Sequence, residues 1–143
     1  MSIIIYTDGS CRNKGDKKGG WGAVLLHMEN EKRLYGSVEN TTSNRMELMA
    51  PLEALKALKR HDLPVKLFSD SQYLIKGITE WSKNWVKNGW KNSNGDDVTN
   101  KDLWLKLLKW DKKLVISWNW VRGHAGDTYQ EVAHTLADNG LRQ

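Results

Sequence analysis

Two acids in this sequence stand where an α/β protein does its chemistry. Asp8 directly follows the apolar run Ile3-Ile4-Ile5-Tyr6-Thr7, and Asp70 directly follows Val65-Lys66-Leu67-Phe68-Ser69. Both runs read as strands, and in open α/β sheets ligands sit just beyond the carboxyl ends of the strands. Either acid alone reads first as a helix or turn cap, since Asp favours those positions. Glu47 carries the same ambiguity, because it lies three residues after Asn44, which is the spacing of a capping box as well as of a ligand. His124 sits in Gly123-His124-Ala125-Gly126, where glycines let an imidazole move without crowding. A zinc site from Cys11, His124 and His134 is a competing reading, but no CxxC or HExxH spacing supports it. His27 and His61 read as ordinary strand or surface residues.

A set of strands and helices has to bring these residues together. The pattern predicts a strand over 3–7, buried on both faces, and a Gly- and Lys-rich loop over 12–20. Residues 21–28 and 32–38 flank Glu29-Asn30-Glu31 as a hairpin. Residues 44–60 predict a helix with Leu48, Leu52, Leu55 and Leu58 on one side. Pro51 should kink it or fray its first turn, since an interior proline costs about 3 kcal/mol. Leu63-Pro64 ends that unit, and 65–69 is the strand that follows a crossover helix. Helices over 71–88, stopped by Gly89, and over 100–113 precede a strand over 115–121. A last helix over 128–139 is stopped by Gly140. The order β-β-β-α-β-α-α-β-α predicts the α/β class, one mixed sheet with helices packed on it.

Composition agrees with such a fold. A chain of 143 residues fits one domain, and 39% hydrophobic with 27% charged residues can bury a single core under a polar surface. No apolar run approaches the roughly 20 residues of a membrane span. Met1 to Thr7 lacks a basic leader, is broken by Asp8, and does not read as a secretory signal. One cysteine, Cys11, permits no internal disulfide and points to a reducing, cytoplasmic location. The 22 basic against 17 acidic residues leave a net charge of +5, which suits an anionic partner, nucleic acid above all. Seven of the eight tryptophans lie between Trp81 and Trp120. Of these, Trp81, Trp85, Trp104 and Trp118 read as partly core, since indoles bury large areas. Lys76, Lys83, Lys87 and Lys91 outnumber the single acid Glu80 in their stretch, and Lys83 and Lys87 share a helical face.

The motifs are specific in combination. Tyr6-Thr7-Asp8-Gly9-Ser10-Cys11, Asn44-Arg45-Met46-Glu47-Leu48, Ser69-Asp70-Ser71-Gln72 and Arg122-Gly123-His124-Ala125-Gly126 occur in this order at domain-scale spacing. The set resembles type 1 ribonuclease H of the bacterial kind, from the first strand to the last helix. The resemblance implies a ribonuclease H-like fold: a mixed five-stranded sheet with helices on both faces, in a single domain over 1–143. It implies endonucleolytic hydrolysis of the RNA strand of RNA–DNA hybrids by two-metal-ion catalysis, leaving 5′-phosphate and 3′-hydroxyl ends. Two divalent ions can stabilise both the attacking and the leaving oxygen of such a displacement. Mg²⁺ prefers hard oxygen ligands, and Mn²⁺ can substitute. By resemblance, Asp8 bridges the ions, Glu47 and Asp70 complete opposite sides, and His124 moves a proton near the leaving group. The hybrid would be held by Cys11, Asn13, Ser43, Asn44 and Gln72 in its minor groove. A basic protrusion over 81–102, with Trp81, Lys83, Asn84, Trp85, Lys87 and Lys91, would grip the DNA strand. The resemblance implies no membrane partner, and the compact single domain is read as a monomer.

The sequence departs from the family at its last helix. The family pattern runs roughly His-x-Gly-x-x-x-Asn-Glu-x-Ala-Asp, whereas this chain has Gln130 at the Asn and His134 at the final Asp. His134 therefore reads either as a nitrogen donor of the metal set without negative charge, which suits softer ions than Mg²⁺, or as a helix-surface residue outside it. Lys14, Lys17 and Lys18 also replace the family's richer Gly and Pro in the first loop. A hybrid-binding module with weak or no cleavage is the alternative that His134 raises.

Overall fold

The computed structural model describes residues 1–12, 15–122 and 128–143. Asn13, Lys14 and the range 123–127, which contains His124, lie outside the described residues. Five strands, β1 (Ile3–Cys11), β2 (Gly19–His27), β3 (Asn30–Val38), β4 (Val65–Ser69) and β5 (Ile116–Trp120), form one sheet in the order β3-β2-β1-β4-β5. The first three pair antiparallel; β1 with β4 and β4 with β5 pair parallel. This mixed pattern follows from the connections, since hairpins need only short turns while parallel neighbours need a crossover. The hairpin turn is Met28-Glu29, closed by the pair His27↔Asn30 with Met28 at φ 57°. It therefore lies earlier than the expected Glu29-Asn30-Glu31.

Helices cover both faces. On one side α1 (Ser43–Lys56) packs on β1 and β2, and α4 (Lys101–Lys113) lies against α1. Here Ile3, Ile5, Leu25, Leu48, Leu55, Leu67, Trp104 and Leu107 form the main core. On the other side α5 (Thr128–Leu141) covers Val24 with Ala133 and Leu136, and Tyr6 packs against them. Alternation along β1 sends Ile3, Ile5 and Thr7 into the first layer, while Ile4 and Tyr6 on the second are only partly covered. The main helix starts at a different cap from the one expected. Thr42 accepts the Arg45 N–H at 3.2 Å, so Asn44 and Glu47 form no capping box. Pro51 sits buried in mid-helix, and α1 runs continuously across it to end at Lys56, short of residue 60.

The expected helix over 71–88 is in fact three segments. α2 (Gln72–Lys76) passes into a π-helical turn, Gly77–Trp81, and then α3 (Ser82–Lys87). The Trp104 indole packs directly on the Gly77 backbone, which explains why the ladder widens there. Gly89, at φ 66°, ends α3 as expected, and the Trp90 N–H returns to the Trp85 carbonyl at 2.7 Å. Gly140 does not stop α5. It lies buried inside that helix, where a Cβ would stand 2.2 Å from the Gly36 carbonyl of β3. Its role is close approach, and sequence pattern alone cannot separate that from a helix stop.

Candidate active site

The parallel ladder between β1 and β4 ends at the pair Thr7↔Ser69, so Asp8 and Asp70 emerge next to each other. Asp70 lies just beyond its strand, as expected. Asp8 does not, because β1 continues to Cys11 on β2 alone, and Asp8 lies within it opposite Gly22. The turn after β4 is tied down from several sides. The Ser71 N–H donates to the Ser69 hydroxyl (3.0 Å), the Val121 N–H to the Ser69 carbonyl (2.9 Å) and the Trp120 indole to the Asp70 carbonyl (3.1 Å). Ser71, not Asp70, caps α2 by accepting the Leu74 N–H. The cap readings of Glu47 and Asp70 thus give way.

Glu47 reaches the same place from α1. Gly9 makes this possible, because a Cβ there would stand 2.4 Å from the Met46 carbonyl carbon and 2.5 Å from the Glu47 amide. With hydrogen in its place, the helix backbone rests directly on β1 one residue from Asp8. One carboxylate oxygen from each of Asp8, Glu47 and Asp70 lies within 4.8 Å of the others. Asp8 is 3% exposed, and Glu47 Oε2 is buried with no hydrogen-bond partner among the described residues. Three carboxylates this close, one of them with a buried oxygen that lacks a hydrogen-bond partner, fit the donor set of a hard divalent cation.

Electrostatics agree with that chemistry. Burial, and then the charge of Asp70, push the Asp8 carboxyl up to about 6, against the opposing pull of His134 and the Gly9 amide. Burial and then the charges of Asp8 and Asp70 hold Glu47 well above the usual carboxylate range. Asp8 and Glu47 therefore keep their protons to higher pH than ordinary carboxylates, and a cation that displaces them relieves both repulsion and desolvation.

The second face of the sheet supplies the remaining corner. Gly22, opposite Asp8, leaves room for α5: a Cβ there would lie 2.5 Å from the Ala133 carbonyl. The next residue, His134, then meets Asp8 with Nδ1 2.8 Å from Oδ2. Burial alone would lower the His134 pKa, but the hydrogen bond to Asp8 and the charges of Asp8, Asp138 and Asp70 outweigh it, so the net movement is upward. His134 touches Asp8 yet is not one of the compact three-carboxylate group. Gln130, buried on the same helix, donates to the Thr7 carbonyl at 2.9 Å and ties α5 to β1 one residue before Asp8.

The residues expected to hold nucleic acid fall in several places. Cys11 and Ser43 line one shallow depression of about 200 Å³ with Arg12, Lys17, Thr41 and Thr42. The Cys11 thiol faces the carbonyls of Lys17 and Thr41 and belongs to no group of three metal-ligating side chains among the described residues, and His124 of the zinc reading lies outside them. Asn44 is exposed on the first turn of α1, and Gln72 opens α2 near Trp120. Trp81 is 38% exposed and tilts against Trp85, which leans on fully buried Trp104. Lys83, Asn84 and Lys87 are exposed on α3. Lys91 instead forms an ion pair with Asp97 across the polar turn built on Asn92. Sequence reasoning missed Gly9, Asp138 and the bidentate pairing of Arg45 with Asp102 that also reaches Asn100. Gly9 and the Arg45 pairing act between elements and carry no local spacing, whereas Asp138 stands at i+4 from His134 on one helix, a signal that could have marked it.

Known proteins share this arrangement. The pattern that defines the RNase H family matches residues 1–142. "Ribonuclease H" of Hahella chejuensis is 52% identical over 142 residues, covering 99% of this chain and 95% of its own length. "Ribonuclease HI" of Pseudomonas aeruginosa is 48% identical over 142 residues, covering 99% and 94%. Among solved structures, LC9-RNase H1, described as a type 1 RNase H with the type 2 active-site motif, superimposes with a TM-score of 0.86 at 31% identity, covering 96% of this chain and 71% of that one. Carboxylates converging at the end of a parallel strand pair, and a family match over nearly the full length, lead to one conclusion: the chain belongs to the ribonuclease H family.

Proposed function

We propose that Asp8, Glu47 and Asp70 are the catalytic, metal-binding centre of this ribonuclease H, with His134 as a further, nitrogen donor. The enzyme is a hydrolase, an endonuclease acting on the RNA strand of RNA–DNA hybrids. The observation that carries the site assignment is the approach of the three carboxylates to within 4.8 Å, with one oxygen of Glu47 orphaned. The donor set is all oxygen at that point, which favours Mg²⁺, with Mn²⁺ as a substitute. Two such ions, when bound, stabilise the charge that develops on the phosphate and on the attacking and leaving oxygens. The chain's own side chains hold the site: Asp8 faces both sides of it, Glu47 closes it from α1, and Asp70 stands at the open strand end. His124 is assigned the proton transfer at the leaving 3′ oxygen, which yields a 3′-hydroxyl and a 5′-phosphate.

The hybrid is read as lying across the depression of Cys11 and Ser43, with Asn13, Asn44 and Gln72 in its minor groove. The 2′-hydroxyls there distinguish the strand to be cut. The segment 81–102 forms the basic protrusion, in which exposed Lys83 and Lys87 meet phosphates while Trp81, Asn84, Trp85 and Lys91 shape its surface. We read the chain as one monomeric domain working in the cytoplasm; among its described helices none is long and apolar enough to cross a membrane. The test is cleavage of an end-labelled RNA–DNA hybrid beside duplex RNA and duplex DNA, with Mg²⁺ and with chelator. The reading expects RNA cut only in the hybrid and only with the ion, and a loss of orders of magnitude in Asp70→Asn with hybrid binding retained. Full activity of Asp70→Asn would overturn the site assignment.

A further inference from the structure

His134 stands between two carboxylates. Its Nδ1 lies 2.8 Å from Asp8 Oδ2, and its Nε2 lies 3.5 Å from Oδ2 of Asp138, one helical turn further along α5. Asp138 belongs to no motif of the sequence and is not among the three converging acids. A neutral imidazole has a single N–H, so the two acids compete for it. With the proton on Nδ1, His134 donates to Asp8 and occupies an oxygen that a cation would need. With the proton on Nε2, Asp138 accepts it, and the Nδ1 lone pair faces the Asp8 corner. Only the second arrangement makes His134 a metal donor.

We infer that Asp138 is a positioning residue that selects the Nε2–H form of His134 and thereby turns Nδ1 toward the metal site. This rests on the reading of His134 as a nitrogen donor at that site. Metal-binding histidines commonly donate their other N–H to a carboxylate, which fixes the tautomer and the ring orientation. Here the partner comes from the same helix at i+4, so α5 holds donor and support in one register. The separation of 3.5 Å is longer than an ordinary hydrogen bond, and side-chain torsion can close it, since the Asp138 side chain is 39% exposed.

The test uses the full chain, labelled with ¹⁵N, in Mg²⁺, with His134→Ala identifying the His134 ring signals. Long-range imidazole spectra should show Nε2 protonated and Nδ1 bare in the parent, and a shift toward Nδ1–H in Asp138→Ala. Calorimetric titration of the substrate-free proteins with Mg²⁺ should show affinity about 10–100-fold weaker in Asp138→Ala. Asp138→Asn, which keeps an acceptor, should fall between. A residue serving only helix stability would leave the tautomer unchanged, and that result would overturn the inference. If His134→Ala binds Mg²⁺ less tightly while Asp138→Ala binds it as the parent does, the role of Asp138 alone falls. If His134→Ala binds Mg²⁺ as tightly as the parent, the donor reading of His134 falls and the inference falls with it.

Discussion

Replacing Asp8 by Asn should make the metal-free protein more stable. The substitution preserves shape while removing a charge from a site where Asp8 is 3% exposed and faces Glu47 and Asp70. Folding moves the Asp8 carboxyl from 3.8 to about 6. At about 1.4 kcal/mol for each tenfold change in proton affinity, ionised Asp8 costs the folded state about 3 kcal/mol. An acid that holds its proton more tightly when folded favours the fold at low pH. The Asp8 contribution should therefore be lost as pH rises from about 4 to 6, and that of Glu47, held well above the usual carboxylate range, continues the fall at higher pH.

His134 acts in the same sense. Its pKa is raised on folding, so its contribution is complete below about 6.5 and is lost as pH climbs through the folded value. Asp16, Asp62, Asp97 and Asp102 are lowered, and their stabilisation fades only as pH falls below the ordinary carboxylate range, outside this window. The opposing pull of His134 is already contained in the cost of ionised Asp8, because it holds the Asp8 carboxyl below where burial and Asp70 alone would push it. The gain is about 3 kcal/mol at pH 8, or about 6–12 °C in Tm. Thermal unfolding in chelator at pH 5 and pH 8 measures it. The gap between parent and variant should be wide at pH 8, shrink at pH 5, and narrow at pH 8 when Mg²⁺ binds the parent. A variant no more stable than the parent at pH 8 would refute the claim that burial and like charge strain this site.

Two other outcomes follow from the geometry. Lys83→Ala and Lys87→Ala should each lower the salt slope of hybrid binding by about 0.9, measured by titration across salt concentrations, with Lys91→Ala changing it less because Asp97 already holds that ammonium. Gly9→Ala must push α1 off β1, since its Cβ would stand 2.4 Å from backbone, so denaturant unfolding should show a loss of about 1–3 kcal/mol and calorimetry a weaker Mg²⁺ isotherm.

The order of elements, Asp8 and Asp70 were legible from local signals, namely apolar runs, turn residues and acids after apolar runs. Glu47, inside a helix, stood out only through the family motif. What sequence could not reveal depends on contacts between elements. Asp8 reads as lying past a strand because the apolar run stops at Thr7, yet pairing with β2 carries β1 on to Cys11. The π-helical turn at Gly77–Trp81 answers to an indole that arrives from α4, far along the chain. Gly140 looks like a helix stop and is a contact with β3. His134 was recognisable as a departure from the family pattern, but its link to Asp138 appears only when both nitrogens are placed.

Beside the site, the two helices that carry Glu47 and His134 meet the sheet backbone to backbone, α1 at Gly9 and α5 at Gly22, where only a hydrogen atom separates them. Backbone pressed on backbone has almost no give, whereas interdigitated side chains can be exchanged in compensating pairs. The spacing of the site is therefore decoupled from the recipe of the core. Leucines and valines in either layer can be traded for others of similar volume while the distances among Asp8, Glu47, Asp70 and His134 stay fixed. The two glycines have no such partners to trade with. A designer who repacked this interior freely but altered either one would keep the fold's outline and lose the registration on which its chemistry depends.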